Sequence, residues 1–185
     1  MGKQFEELLS THKEFIEDQK LFFVGTAVND GKVNISPKGM DSLRVLDSKR
    51  VIWLNVTGSG NESSAHVQIN PRMTIMFCAF VGTPLILRLY GKAKVIHKKD
   101  PQWEELYAKF KPIIGARQIF DLNIDLVQTS CGYAVPFFEY KEDRELLIDW
   151  ANNQGDEGLK KYWLERNQTT IDGIPTNIVS KNIRP

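Results

Sequence analysis

The run Arg72-Met73-Thr74-Ile75-Met76-Phe77-Cys78-Ala79-Phe80 carries apolar side chains at odd and even positions alike, a pattern that calls for a strand buried on both faces. Gly82-Thr83-Pro84 then turns the chain into a long strand, Leu85 to His97, whose interior Gly91 signals a bulge or sharp bend. A buried strand beside a long bent one suits a small antiparallel barrel, where strands close on each other and bend at the corners. These two segments limit the fold more than any other part of the chain.

The remaining periodicities are consistent with that frame. Apolar residues at Phe5, Leu8, Leu9, Phe15 and Ile16 lie near one helical face, so a covering helix is expected over Lys3–Gln19. From Leu21 the residues become β-branched and aromatic, and Asn29-Asp30-Gly31-Lys32 supplies a hairpin turn before Val33-Asn34-Ile35-Ser36. Further strands are expected at Arg50–Val56 and Asn123–Tyr133. Helices are expected over Glu62–Ile69, over Asp100–Phe110 with proline in the first turn, and over two C-terminal stretches separated by Asn152-Asn153-Gln154-Gly155. About six strands and four or five helices in 185 residues make an α+β chain with an antiparallel barrel, read as one domain over residues 1–185 with a helical extension from about 140.

Between the third strand and the short helix lies Val56-Thr57-Gly58-Ser59-Gly60-Asn61-Glu62-Ser63-Ser64-Ala65-His66. Gly58 and Gly60 permit positive φ and close backbone approach, so successive N–H groups can converge on an anion at the positive end of a helix dipole. The guest expected of such a loop is a phosphate. An equally available reading is an ordinary strand-to-helix link in which Asn61 or Ser63 only caps the helix.

Composition and spacing remove several function classes. A formal net charge of +1, with basic residues scattered among acidic ones, provides no electrostatic footprint for nucleic acid. No apolar run approaches the roughly 20 residues that span a bilayer, and the first residues lack the apolar core of a secretory signal, so a cytoplasmic protein is expected. Cys78 and Cys131 form no CxxC metal motif. Cys78 reads as a small buried hydrophobe, while Cys131, before Gly132, is placed to face a pocket. His12, His66 and His97 show neither zinc spacing nor a nucleophile partner, and no metal is expected. Arg117, in the polar interruption Gly115-Ala116-Arg117-Gln118, is open to an interface or cofactor-phosphate role, but solvation at the surface is the expected reading.

In chain order, Val33-Asn34-Ile35-Ser36-Pro37-Lys38-Gly39, Gly58 to His66, Asn70-Pro71-Arg72-Met73-Thr74-Ile75-Met76-Phe77 and Leu85-Ile86-Leu87-Arg88-Leu89-Tyr90-Gly91 resemble the pyridoxamine 5′-phosphate oxidase family of flavin mononucleotide (FMN) binders. Ser130-Cys131-Gly132-Tyr133-Ala134-Val135-Pro136 and Ile171-Asp172-Gly173-Ile174-Pro175 extend the likeness. The resemblance implies a six-stranded antiparallel split β-barrel that forms a homodimer, with FMN held non-covalently in clefts at the subunit interface. Carried over by position, Ser36 and Lys38 line the cofactor, Trp53 to Asn55 run beside it, and Ser59, Asn61 and Ser63 receive its phosphate. Arg88 reaches a phosphate or a flavin carbonyl, and Ser130 and Cys131 approach the ring from the partner subunit. Ser63 stands where the family often has a cation, and Ile86 where it often has a glutamine. The tail Ser180-Lys181-Asn182-Ile183-Arg184-Pro185 lacks the Arg-x-His pattern of the authentic oxidase, so vitamin B6 oxidation is not the expected reaction.

The activity this implies is an FMN-dependent oxidoreductase acting on a small molecule, with a nicotinamide as a conceivable electron donor. No acid–base pair is required, because the flavin carries the hydride chemistry. The alternative is a non-catalytic flavin-binding or flavin-sensing dimer. Haem or a deazaflavin in the same barrel is a third reading, for which no histidine occupies an obvious axial position.

Overall fold

The computed structural model describes residues 2–183; Met1 and the Arg184-Pro185 end of the tail lie outside the described residues. The elements run β1 (Lys3–Phe5), α1 (Ser10–Asp18), β2 (Phe22–Thr26), β3 (Asn34–Lys38), β4 (Leu43–Asp47), β5 (Arg50–Val56), α2 (Glu62–Ile69), β6 (Arg72–Cys78), β7 (Ile86–His97), α3 (Trp103–Tyr107), β8 (Ala116–Ser130), α4 (Leu146–Arg166) and α5 (Ile178–Asn182). One eight-stranded sheet has the order β3-β2-β6-β7-β8-β5-β4, with β1 added on β8, and every pairing is antiparallel. The fold is therefore α+β. The sheet has eight strands where about six were expected, and no ladder joins β3 to β4 at the ends of the path among the described residues.

The sheet curls so that its ends approach without bonding: Lys38 Nζ on β3 stands 5.3 Å from the centre of the Trp53 ring on β5. Inside the curl, Val24, Trp53, Ile75, Phe77, Leu87, Leu89, Phe120 and Val127 form the main core with Ile16 of α1 and Val67 of α2. Trp53 and Phe120 stack with centroids 4.4 Å apart and planes 4° apart. A second cluster joins Ile52, Leu54, Ile96 and Ile119 to Trp103 and Leu106 of α3 on the opposite side of the sheet. Gly91 sits at the bend foreseen from sequence. The β7–β8 register shifts between Tyr90 and Gly91, and a Cβ on Gly91 would collide with the Asn123 carbonyl oxygen.

Four expectations are corrected. Residues 3–5 pair with β8 (Lys3 with Thr129, Phe5 with Val127) and do not begin a helix, because β8 outruns its β5 partner and leaves a free edge there. The last strand begins at Ala116, not Asn123, so the polar interruption around Arg117 is sheet. β6 is buried on one face only: Thr74 and Met76 on the outer face remain half-buried, since none of the described residues covers that side. Gly58 and Gly60 are absent from the positive-φ positions, so the left-handed backbone expected of them is not used, and a Cβ at Gly58 would meet nothing within 4 Å. At Gly60, a Cβ would meet the Glu62 carboxylate. The break expected near residues 152–155 is real: Gly155, at φ 62° and ψ 179°, interrupts α4.

Candidate functional site

Register decides which side chains meet. In the β2–β3 ladder Phe22 pairs with Lys38, Val24 with Ser36 and Thr26 with Asn34, and directly opposed residues share a face. Phe22, Val24 and Thr26 are buried, so Asn34, Ser36 and Lys38 point inward, while Val33, Ile35 and Pro37 point out. The small polar side chains of this strand therefore face the inside of the curl, against β5 and the loop before α2.

There they line a cavity of about 430 Å³, together with Trp53, Asn55, Ser59, Asn61, Ser63 and Arg117. The volume is in the range of pockets that take a cofactor-sized ligand, about 300–1,000 Å³. Ser36, Lys38, Trp53, Asn55, Ser59, Asn61 and Ser63, chosen from sequence, thus share one site. Arg88 and Ser130 do not. Arg88 Nη1 donates to Ser130 Oγ at 3.2 Å on the outer face of the sheet, where Arg88 lies opposite Met76 and Gln128. Cys131 is exposed beyond the end of β8, and Cys78 is buried as expected.

Arg117 is the residue that sequence reasoning placed on the surface, and it is 3% exposed. Its Nη2 donates to the Gly60 carbonyl at 2.6 Å, and its Nη1 to the Gly58 carbonyl at 3.4 Å and to Asn167 Oδ1 at 2.7 Å. Asn167 Nδ2, at the end of α4, donates to the carbonyls of Gly58 at 3.0 Å and Ser59 at 3.3 Å. Trp163 of α4 donates to Thr57 Oγ1 at 2.9 Å, and Thr57 Oγ1 donates to the Gly115 carbonyl at 2.8 Å. The loop carbonyls are thereby turned toward α4 and β8. The N–H groups of Gly58, Ser59, Gly60 and Asn61 have no protein acceptor among the described residues.

Asn61 is the N-cap residue of α2, yet its side chain makes no capping bond. It is 3% exposed, and both Oδ1 and Nδ2 lack a partner. Leaving such an amide buried and unpaired costs about 1–3 kcal/mol per group, so a native site with this feature fits a polar guest. Ser63 does not cap the helix by its side chain either. Its Oγ lies 3.2 Å from Thr26 Oγ1 and accepts Asn34 Nδ2 at 3.2 Å.

The electrostatics are cationic. Burial, with a smaller push from the Arg117 charge and opposed by Glu62, lowers the Lys38 ammonium from 10.5 to about 8. Burial also lowers Arg117 to about 10, against the pull of Glu62 and Tyr162, so the guanidinium stays charged at neutral pH. Glu62 also lines the cavity. Against that one carboxylate stand a cation held on loop carbonyls, a second, half-buried cation, free N–H groups and an unpaired amide, which together make a donor-rich pocket suited to an anion. Asn34 was missed as a site residue, although the inward alternation of Asn34, Ser36 and Lys38 was a usable signal. For Arg117 the polar interruption in an apolar stretch was the signal, and the cofactor-phosphate role was the reading set second to solvation.

The family profile described as pyridoxamine 5′-phosphate oxidase matches residues 8–131. The pyridoxamine 5′-phosphate oxidase family protein ustO of Aspergillus flavus is 33% identical over 191 residues, covering 92% of this chain and 76% of the relative. Among solved structures, a candidate pyridoxamine 5′-phosphate oxidase from Lactobacillus delbrueckii superposes with a TM-score of 0.53 at 24% identity, covering 66% of this chain and 94% of that one. HupZ of Group A Streptococcus gives 0.52 at 20% identity, over 64% of this chain and 91% of that one. These structural likenesses speak for the fold.

Proposed function

Because the chain belongs to the pyridoxamine 5′-phosphate oxidase family, we propose that it binds FMN without a covalent bond in the cavity between β3, β5 and the loop before α2, and serves as an oxidoreductase toward a small molecule. The observation that carries this reading is Asn61, whose buried amide is unpaired beside a loop that presents free N–H groups. The phosphate is assigned to Ser59, Asn61 and Ser63 and the loop N–H groups, with Lys38 and Arg117 supplying positive charge where the family's usual cation is absent. Trp53, stacked on Phe120 and fully buried, backs the cavity wall behind Lys38.

When bound, the flavin supplies hydride and electron transfer. The chain's own residues bind and orient it: Arg117 and Asn167 hold the loop in shape, and Lys38 sets the local charge. We read the curled sheet as the family's split barrel, its cleft being the gap between β3 and β5. The two cysteines are free, which suits a reducing compartment such as the cytoplasm.

The proposal includes a homodimer. Val33 and Ile35 are 68% and 69% exposed on the outer face of β3, and with Phe23, Met76 and Tyr90 they line an apolar groove of about 580 Å³. A second copy on this face would complete the burial that the β6 sequence calls for. Arg88, Ser130 and Cys131, which lie away from the cavity of their own chain, are assigned to the flavin bound by the partner.

A flavin-binding module without turnover is the second reading. The visible spectrum of the purified protein and titration with FMN test the first step. Asn61→Ala with Ser63→Ala is expected to weaken FMN binding about tenfold or more; unchanged affinity overturns the phosphate assignment. Anaerobic reduction of the bound flavin by NADH or NADPH supports the oxidoreductase, and its absence across nicotinamides and candidate substrates supports the module.

A further inference from the structure

A chain of buried polar groups runs behind the cavity wall. His66 Nδ1, on α2, lies 3.2 Å from Thr26 Oγ1 on β2, and Thr26 Oγ1 lies 3.2 Å from Ser63 Oγ. Asn34 Nδ2 donates to the same Ser63 oxygen at 3.2 Å, and Ser36 Oγ, donating to Asn34 Oδ1 at 3.3 Å, orients that amide. His66, Thr26 and Ser63 are all at least nine-tenths buried.

Proton counting gives this chain a direction. His66 Nε2 is buried and has no partner. If it carried the only ring proton, a buried N–H would be orphaned, which folded proteins avoid more strictly than an unused lone pair. A proton on Nδ1 avoids this and makes His66 the donor to Thr26. Thr26, accepting from His66, passes its own hydroxyl proton to Ser63. Both lone pairs of Ser63 Oγ are then taken, by Thr26 and by Asn34. The remaining Ser63 proton is directed at the cavity.

We infer that His66 and Thr26 are positioning residues that hold the Ser63 hydroxyl as a dedicated donor to the anion bound at the Gly58–Ser63 loop, replacing by fixed hydrogen-bond polarity the cation this position lacks. The inference rests on the assignment of that loop as the phosphate site. A serine free to rotate could offer a lone pair to the anion and repel it; a serine with both lone pairs filled can only donate. The site thereby favours a fully ionised phosphate ester, an acceptor at every oxygen, over a ligand with a hydroxyl in its place.

The test compares FMN with riboflavin, which lacks the phosphate, by fluorescence titration of the full chain. Thr26→Val keeps the shape of a buried strand residue and removes the relay. It is expected to lower the FMN-to-riboflavin affinity ratio about three- to tenfold with riboflavin affinity unchanged. Ser63→Ala is expected to lower the ratio to a similar extent, and the double variant no further than Ser63→Ala alone. His66→Asn, which keeps a donor near Nδ1, is expected to retain more of the ratio than His66→Leu. Equal loss of both ligands in Thr26→Val, or additive losses in the double variant, overturns the relay while leaving the phosphate site standing. The His66 tautomer, read by ¹⁵N NMR on the ligand-free protein, is independent of flavin binding. A proton on Nδ1 is expected, and one on Nε2 alone overturns the relay even if the chain binds neither flavin.

Discussion

Arg117 Nη2 donates to the Gly60 carbonyl at 2.6 Å, joining the start of β8 to a loop that lies 57 residues earlier in the chain. The bond occupies that carbonyl, while the same guanidinium takes Gly58 and Asn167. The loop is thus shaped from behind by a buried cation. Its hydrogen-bond donors are left for whatever enters in front.

Replacing Arg117 with Lys keeps the charge but loses the fork that reaches several acceptors together. Destabilisation of about 1–3 kcal/mol is expected from the carbonyls left unpaired, with at least tenfold weaker FMN binding because the loop is released. Urea unfolding and fluorescence titration measure the two effects. Normal FMN affinity in a destabilised variant would remove Arg117 from the site.

Lys38 titrates near about 8, below its usual 10.5, because burial and the neighbouring Arg117 charge disfavour its protonated form. The unfolded chain binds more protons than the folded one between these values, so ligand-free stability should rise with pH from about 8 toward 10.5. Anion binding runs the other way: FMN affinity should fall as pH passes about 8, because the ammonium is being lost. Titrations from pH 6.5 to 9 in wild type and Lys38→Met compare the slopes. The variant should show the shallower one.

His97, 3% exposed, accepts from Asn182 Nδ2 of α5 through Nδ1 at 3.0 Å. Burial, together with Lys181 and against the pull of Asp100, lowers it from 6.5 to about 4. The unfolded state binds more protons between those values, so stability should decline as pH falls from about 6.5 to 4, by on the order of 3 kcal/mol at most. Protonated Nδ1 can no longer accept from Asn182, and α5 should loosen first. Hydrogen exchange of residues 178–182 across that range reports it, and His97→Gln should flatten the dependence.

Gly91→Ala should destabilise by about 3 kcal/mol, the upper end for an overpacked interior. The added methyl meets the Asn123 carbonyl at the β7–β8 bulge, and backbone yields less readily than a side chain. Thermal unfolding of the variant measures the cost. A loss under about 0.5 kcal/mol, the range of neutral surface changes, would show that the bulge can move.

The elements whose signal is local were legible. The hairpin of β2 and β3, the strand β5, the short helix α2, the bend at Gly91 and the break at Gly155 each follow from periodicity or a backbone preference within a few residues. The grouping of Ser36, Lys38, Trp53, Asn55, Ser59, Asn61 and Ser63 came from the family resemblance, carried over by position, which also placed Arg88, Ser130 and Cys131 at the site; these three lie outside the cavity. β1 was not legible, because its helical spacing was overridden by a free edge on β8, more than 120 residues away. Nor was β4, whose short run between polar residues has little meaning without β5 beside it.

By itself the sequence determined an antiparallel, strand-rich α+β chain with a glycine-rich loop between a buried strand and a helix, open to anion binding or to plain helix capping, since alternation, glycine placement and turn chemistry act over short spans. The tertiary structure decided what surrounds that loop. Whether Arg117 is solvated or buried, whether Asn61 caps a helix or faces a cavity unpaired, and on which side of the sheet Arg88 stands all depend on segments that meet only after folding. Hydrogen-bond satisfaction and desolvation are properties of a side chain's neighbours, and here those neighbours come from the other end of the chain.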